Sequence, residues 1–212
     1  MLVVLGILIA LQINNWNEDR KERMQEQEIL HALKSSTEIN LKVLQENRDR
    51  VGLYLENSVR VLDLLSEPVL NMDSLANYFP RALLTGFRIS DRLDMSGYKR
   101  LESAGIEILQ SQPLKLTLVD LYETSIPWMN SIGDEWSLYL KDISIQLVRD
   151  GIIRHEFGKG FTPRNNLDRD QLDTLNSIMS MRRAQKDRGV RFLNQSIEKC
   201  RDILKYIEGQ IT

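Results

Sequence analysis

From Asn17 to Leu65 the chain carries neither a proline nor a cluster of turn-forming residues, and that absence limits what its first third can be. Apolar side chains return at Ile29, Leu30, Leu33, Leu41, Leu44, Val51, Leu55, Leu62 and Leu65, the spacing of one helical face. This predicts a single long helix, ended by Glu67-Pro68 because the proline ring disfavours helical geometry in the residue before it. Its opening part, EDRKERMQEQE, is polar on every side and suits a solvated stalk; it reads equally well as an ordinary charged helix surface.

Ahead of that helix, Met1 to Ile13 is aliphatic except for Gly6 and Gln12, and Trp16 follows among Asn14, Asn15 and Asn17. An indole has an apolar body and a polar N–H, which suits a lipid headgroup zone. Leu2, Val3, Val4, Leu5, Ile7, Leu8, Ile9, Leu11, Ile13 and Trp16 are therefore the candidate membrane anchor. Thirteen helical residues reach about 20 Å, against a hydrocarbon core of about 30 Å that needs roughly 20 residues. Because the run is apolar from Met1 onward, it is expected to be the C-terminal part of a transmembrane helix whose first half lies upstream. A buried core helix is the bland alternative. A signal-peptide core fits less well, because no basic segment precedes the run and no small-residue cleavage pattern follows Gln12.

The stretch GILIALQINNWNEDRKER, Gly6 to Arg23, closely resembles the N-terminal signature of an uncharacterised family of small single-pass membrane proteins of Gram-negative bacteria, a domain-of-unknown-function family. A weaker resemblance lies at Tyr98 to Leu109, YKRLESAGIEIL, and another at Leu118 to Glu123, LVDLYE. The resemblance implies a longer apolar run with a short basic segment before it, an inner-membrane location and a periplasmic bundle. It implies no activity. Taken alone, Arg20, Lys21 and Arg23 after the anchor would draw the domain to the cytoplasm.

With 212 residues, 42% of them hydrophobic and 27% charged, the chain can bury a core of its own and falls in the size range of one globular domain. The net charge of −2 argues against nucleic acid as a partner. Cys200 is the sole cysteine, so no internal disulfide framework forms, and a lone thiol on a helix reads as packing.

Beyond Pro68 the elements shorten. Asp73 or Ser74 is positioned to cap a short helix reaching Asn77 or Phe79 and interrupted near Pro80, and Ser96 to cap another that stops at Gly105. Ile106 to Leu109 reads as a brief extended piece. Ser111 and Pro113 open a helix carrying Leu114, Leu118, Leu121, Tyr122 and Ile126, which Pro127 should kink. Trp128, Ile132, Trp136, Leu140, Ile143 and Leu147 continue the period to Gly151. Gly151 to Asn166 reads as a loop with a flexible Gly158-Lys159-Gly160 turn. The last helix spans about Leu167 to Ile207, with Leu172, Leu175, Ile178, Met179, Phe192, Ile197, Ile203, Leu204 and Ile207 toward the core. No window alternates apolar and polar residues beyond four positions, so no sheet is expected.

The expected fold is therefore all-α: an up-and-down antiparallel helical bundle, with a very long first helix continuing from the anchor. In domain terms, 1–16 is the anchor part, 17–28 the stalk and 29–212 the bundle. An up, down, up, down order returns the C-terminus toward the membrane.

Chemistry-bearing patterns are weak. Glu28 and His31 have the Glu-x-x-His spacing of di-iron bundles, but the second copy is missing. His155-Glu156 lacks the second histidine of a zinc-protease helix. Asp168, Asp170 and Asp173 lack a calcium loop's glycine and closing glutamate; acids at a helix start account for them. The basic cluster Arg182, Arg183, Lys186, Arg188 and Arg191 reads as a solvated face. Tyr122, Trp128, Trp136 and Tyr139 flank the Pro127 kink, where a pocket could open between helices, although aromatics at helical spacing are usually core. No cofactor or metal follows from these residues. The function expected is a non-enzymatic sensing or protein-interaction module of the cell envelope. Its partners would be membrane lipid through the first helix, and a protein or a second copy of the chain. The alternative is a hydrolase or transferase with a site around Arg154, His155 and Glu156.

Overall fold

In the computed structural model, residues 2–84, 92–157 and 160–211 are described, with side chains from Val4 onward. The Gly158-Lys159 part of the expected turn, and the anchor side chains of Leu2 and Val3, lie outside the described residues. The described chain is helical almost throughout, as α1 (Leu2–Leu65), α2 (Met72–Leu83), α3 (Ser96–Ala104), α4 (Gln112–Val119), α5 (Ile126–Arg149) and α6 (Arg169–Glu208). The all-α expectation holds, and α1 ends where Pro68 requires.

The chain forms two compact units: the first of Met1–Leu41, Leu93–Thr124 and Glu198–Thr212, the second of Lys42–Arg92 and Ser125–Ile197. In the first unit, packing on α1 begins at Glu26, three residues before the expected bundle boundary. Its Oε1 accepts the Gln110 N–H at 2.8 Å, and the neighbouring Gln27 side chain donates to the Gln210 carbonyl at 2.8 Å. Glu28 meets Arg100 and Asn40 meets Asp94, so α3 runs against α1. Gln110 lies beside Glu26 and Tyr122 beside Asn40, so α4 and the turn after it run with α1. Lys34 facing Glu208 brings α6 back down, and its end lies beside the polar stretch of α1.

In the second unit Val61, Leu75, Phe79, Ala82, Leu83, Ile143, Leu147, Ile152, Ile153, Leu175 and Met179 form a continuous apolar core. Trp128 against Phe192, and the Tyr139 hydroxyl donating to Met181 Sδ, set α5 antiparallel to α6.

Several local expectations are corrected. The cap of α2 is Asn71, not Asp73 or Ser74: its Oδ1 accepts the Ser74 N–H at 2.9 Å, and the helix passes Pro80 to reach Leu83. Ile106–Ile108 is a 3-10 turn rather than an extended piece, entered from Gly105 at φ +88°. The strain before Pro127 is taken up by a π-helical turn at Asp120–Ser125. A proline lacks the N–H that would serve Glu123 and crowds that carbonyl, and a wider turn relieves both.

The expected 151–166 loop contains a hairpin, β1 (Ile153–Glu156) and β2 (Gly160–Pro163), paired antiparallel with Ile153 opposite Pro163 and Glu156 opposite Gly160. Four residues a strand are too few for alternation to register. What holds the hairpin is burial of Ile152, Ile153, Thr162 and Pro163, with the Arg164 N–H donating to the Ile152 carbonyl. Asp168 starts α6 with a reciprocal cap: its Oδ1 accepts the Gln171 N–H at 2.8 Å, and Gln171 Oε1 accepts the Asp168 N–H at 3.1 Å.

Candidate functional site

The first candidate is the start of α1. Val4, Leu5, Ile7, Leu8, Ile9, Leu11, Ile13 and Trp16 are each between 53% and 63% exposed, and they point to every side of the helix. No described element covers this end before Glu26. At about 25 cal/mol for each Å² of apolar surface removed from water, covering this end would be favourable. Below it the side chains turn polar and self-satisfied: Asn14 donates to Glu18 at 3.0 Å, and the Arg20 guanidinium lies 6.0 Å from the Trp16 ring centre. Among the described residues, no helix is long and apolar enough to cross a membrane.

The four aromatics expected around a pocket have their surroundings within two separate units. Tyr122 belongs to the first unit, where it is buried and stacked on Tyr98 at 4.5 Å between ring centres. In the second unit Trp128 lies on Phe192, Trp136 is buried, and Tyr139 is half-buried. The π-turn explains the Tyr98 contact, because it turns adjacent residues toward the same ring. Tyr122 stacks on it while Glu123 Oε1 accepts its hydroxyl at 2.5 Å. Burial and that carboxylate push the Tyr98 phenol well above the usual range; burial also raises Tyr122, against a hydrogen bond from Asn40. Cys200 is fully buried, and burial pushes its thiol up to about 12.

A cleft of about 690 Å³ lies in the second unit between one face of α2 (Asp73, Asn77, Arg81) and the hairpin. Arg154 and Glu156 line it, joined at 2.7 Å, with the Thr162 hydroxyl donating to the same carboxylate. His155 does not line it. Strand alternation turns its side chain to the other face, where it meets Phe161 edge-on. Glu28 pairs with Arg100, His31 is exposed, and among the described residues no three potential metal ligands gather.

The basic cluster on α6 departs furthest from expectation. Arg183, Arg188 and Arg191 are exposed, but Arg182 and Lys186 are each 1% exposed. The Arg182 guanidinium donates to the Leu83 carbonyl at 2.9 Å and to Gln185 Oε1 at 2.7 Å. Lys186 Nζ donates to the Ala82 carbonyl and, at 2.7 Å, to Ser58 Oγ. These are carbonyls of the last turn of α2, which have no partner within their own helix. With the Leu84 N–H serving Arg81, the buried side-chain donors of Arg182 and Lys186 complete that helix end. The signal was present in sequence: Arg182 and Lys186 are one turn apart and share the face of Leu175 and Met179.

Comparison with protein-family profiles, curated proteins and solved structures returns no match to this chain.

Proposed function

We propose that this chain is a membrane-anchored helical bundle of the bacterial cell envelope, a sensing or protein-interaction module rather than an enzyme. The observation that carries this reading is the start of α1, aliphatic on all sides, uncovered, and closed by an exposed Trp16 and an asparagine collar. Such a surface gains by entering hydrocarbon, and the indole sits at the depth where headgroups begin. On this reading residues 1–16 belong to the C-terminal part of a transmembrane anchor helix, 17–28 are a stalk, and the rest is a wet bundle on the periplasmic side. The likeness of Gly6 to Arg23 to the single-pass family supports the same arrangement.

The hydrolase or transferase alternative draws on the cleft beside the hairpin, but the arrangement there engages charges rather than freeing them. Arg154 and Thr162 hold Glu156, and His155 points elsewhere.

The reading is tested by expressing the protein from its natural gene start in a Gram-negative host with a reporter fused after Thr212. Recovery in carbonate-washed inner membranes with a reporter active in the periplasm is expected. Recovery in the aqueous fraction overturns the anchor, and a cytoplasm-active reporter overturns the sidedness. A partner or ligand should then appear in crosslinking from those membranes or as a thermal shift across a metabolite panel.

A further inference from the structure

We propose that Arg182 and Lys186 form an acid-sensitive latch on the C-terminal end of α2: the neutral amine of Lys186 holds the helix end closed, and protonation of that amine releases it. The inference concerns the second unit alone and stands independently of where the chain resides.

The groups around the amine define its preference. On its own helix the nearest charge is Arg182, one turn earlier. From α1 come the Ser58 hydroxyl and, behind it, the Tyr54 carbonyl, which accepts from Ser58 at 2.9 Å. From α2 come the carbonyls of Ala82 and Leu83. From α5 the Tyr139 phenol approaches Arg182, its hydroxyl directed at Met181. Among the described residues, no carboxylate on α1, α2, α5 or α6 reaches either cation; Asp187, next to Lys186 in sequence, is paired with Arg191 at 3.0 Å.

A neutral lysine amine has two N–H bonds, and the site supplies two acceptors for it, Ala82 O and Ser58 Oγ. Protonation adds a third N–H with no acceptor and a full positive charge in a dry site beside a guanidinium. Arg182 gives no relief: a guanidinium only donates, and its own Nε is buried without an acceptor. Two like charges a turn apart, removed from water, repel with little screening. Accordingly, burial first and Arg182 second hold the Lys186 amine down to about 6, and burial draws Arg182 down to about 10. A mildly acidic medium is therefore enough to charge Lys186. The way to satisfy the new charge is to give up the Ala82 contact and admit water at the end of α2.

The test is made on the intact chain with labelled lysine, following the Lys186 side chain by NMR and the amides of Ala82, Leu83 and Leu84 by hydrogen exchange. The latch predicts a Lys186 midpoint near 6. It also predicts that exchange protection at the α2 end, corrected for intrinsic rate, falls at least tenfold between pH 7.5 and 5, while α4 amides keep theirs. In Lys186→Met, or Lys186→Gln should the first not fold, α2 protection should be flat with pH. A Lys186 midpoint near the ordinary lysine value, flat protection in the natural chain, or the same fall in the variants overturns the proposal.

Discussion

Asn40 pairs with the backbone of Asp94 as one strand residue pairs with another: its Nδ2 donates to the Asp94 carbonyl at 2.8 Å and its Oδ1 accepts the Asp94 N–H at 2.7 Å. The same Nδ2 donates to the Tyr122 hydroxyl at 3.0 Å, so one amide from α1 ties down the approach to α3 and the π-turn. Asn40→Leu leaves the half-buried N–H and carbonyl of Asp94 without their partner. A loss of about 2–4 kcal/mol is expected in urea unfolding, at one to two kcal/mol for each group stranded. Unchanged stability would contradict that role.

Gly97 and Gly105 both sit by α3 but resist substitution for different reasons. A Cβ on Gly97 would lie 2.3 Å from Ser36 Oγ, 2.7 Å from the Ala32 carbonyl and 2.9 Å from Leu33 Cα, so backbone must move. Gly105 has open space but a φ of +88°. Gly97→Ala should cost about 2–3 kcal/mol and Gly105→Ala about 1 kcal/mol. A midpoint series in urea checks the order, and a reversed order would count against the close approach of α3 to α1.

The depressed Lys186 amine makes a signed prediction about stability. In the unfolded chain lysine titrates near 10.5, in the native chain near 6, so between those values unfolding takes up a proton. Wild-type stability should therefore rise with pH from about 6 toward 10 and be insensitive to this group below 6. Lys186→Met removes the linkage and leaves the Ala82 carbonyl to the Ser58 hydroxyl alone, at 3.3 Å. Its stability relative to wild type should be highest in acid and should decline steadily as the pH is raised. A difference that does not change with pH would show that Lys186 titrates normally.

Cys200 and Tyr98 report the dryness of the first unit. A fully buried thiol held up to about 12 should react with a disulfide reagent at least a hundredfold more slowly in the native chain than in urea. Tyr98 should keep its proton beyond the ordinary phenol range in an ultraviolet titration, and Tyr98→Phe should cost about 1–2 kcal/mol for the lost bond to Glu123. Rapid labelling of Cys200 in the native state would place water where the packing excludes it.

Much of the helical frame was legible because helices announce themselves by period and punctuation: Pro68 ends α1, Ser111 with Pro113 starts α4, and the acids from Asp168 onward mark the start of α6. What was illegible depends on partners distant in sequence. The residues Ser36, Thr37, Asn40, Asn47, Asn57 and Ser58 are buried on α1, where apolar spacing alone pointed to the leucines. Leu41, Leu55, Leu62 and Leu65 are half-buried instead. Arg182 and Lys186 read as surface because the charge of their cluster outweighed the face they share with Leu175 and Met179, and nothing local shows that the end of another helix needs donors. The hairpin was missed because its strands are shorter than the window that alternation requires.

The most direct test of the anchor is flotation of the intact chain with vesicles of bacterial phospholipid, which separates lipid-bound protein from aggregate. The account predicts that the chain rises with the vesicles, that Trp16 fluorescence in a Trp128→Phe, Trp136→Phe background shifts to the blue, and that Leu5→Glu with Leu8→Glu and Ile9→Glu keeps a folded bundle in the bottom fraction. A chain that stays at the bottom as a dispersed protein, or a triple variant that still floats, would contradict it.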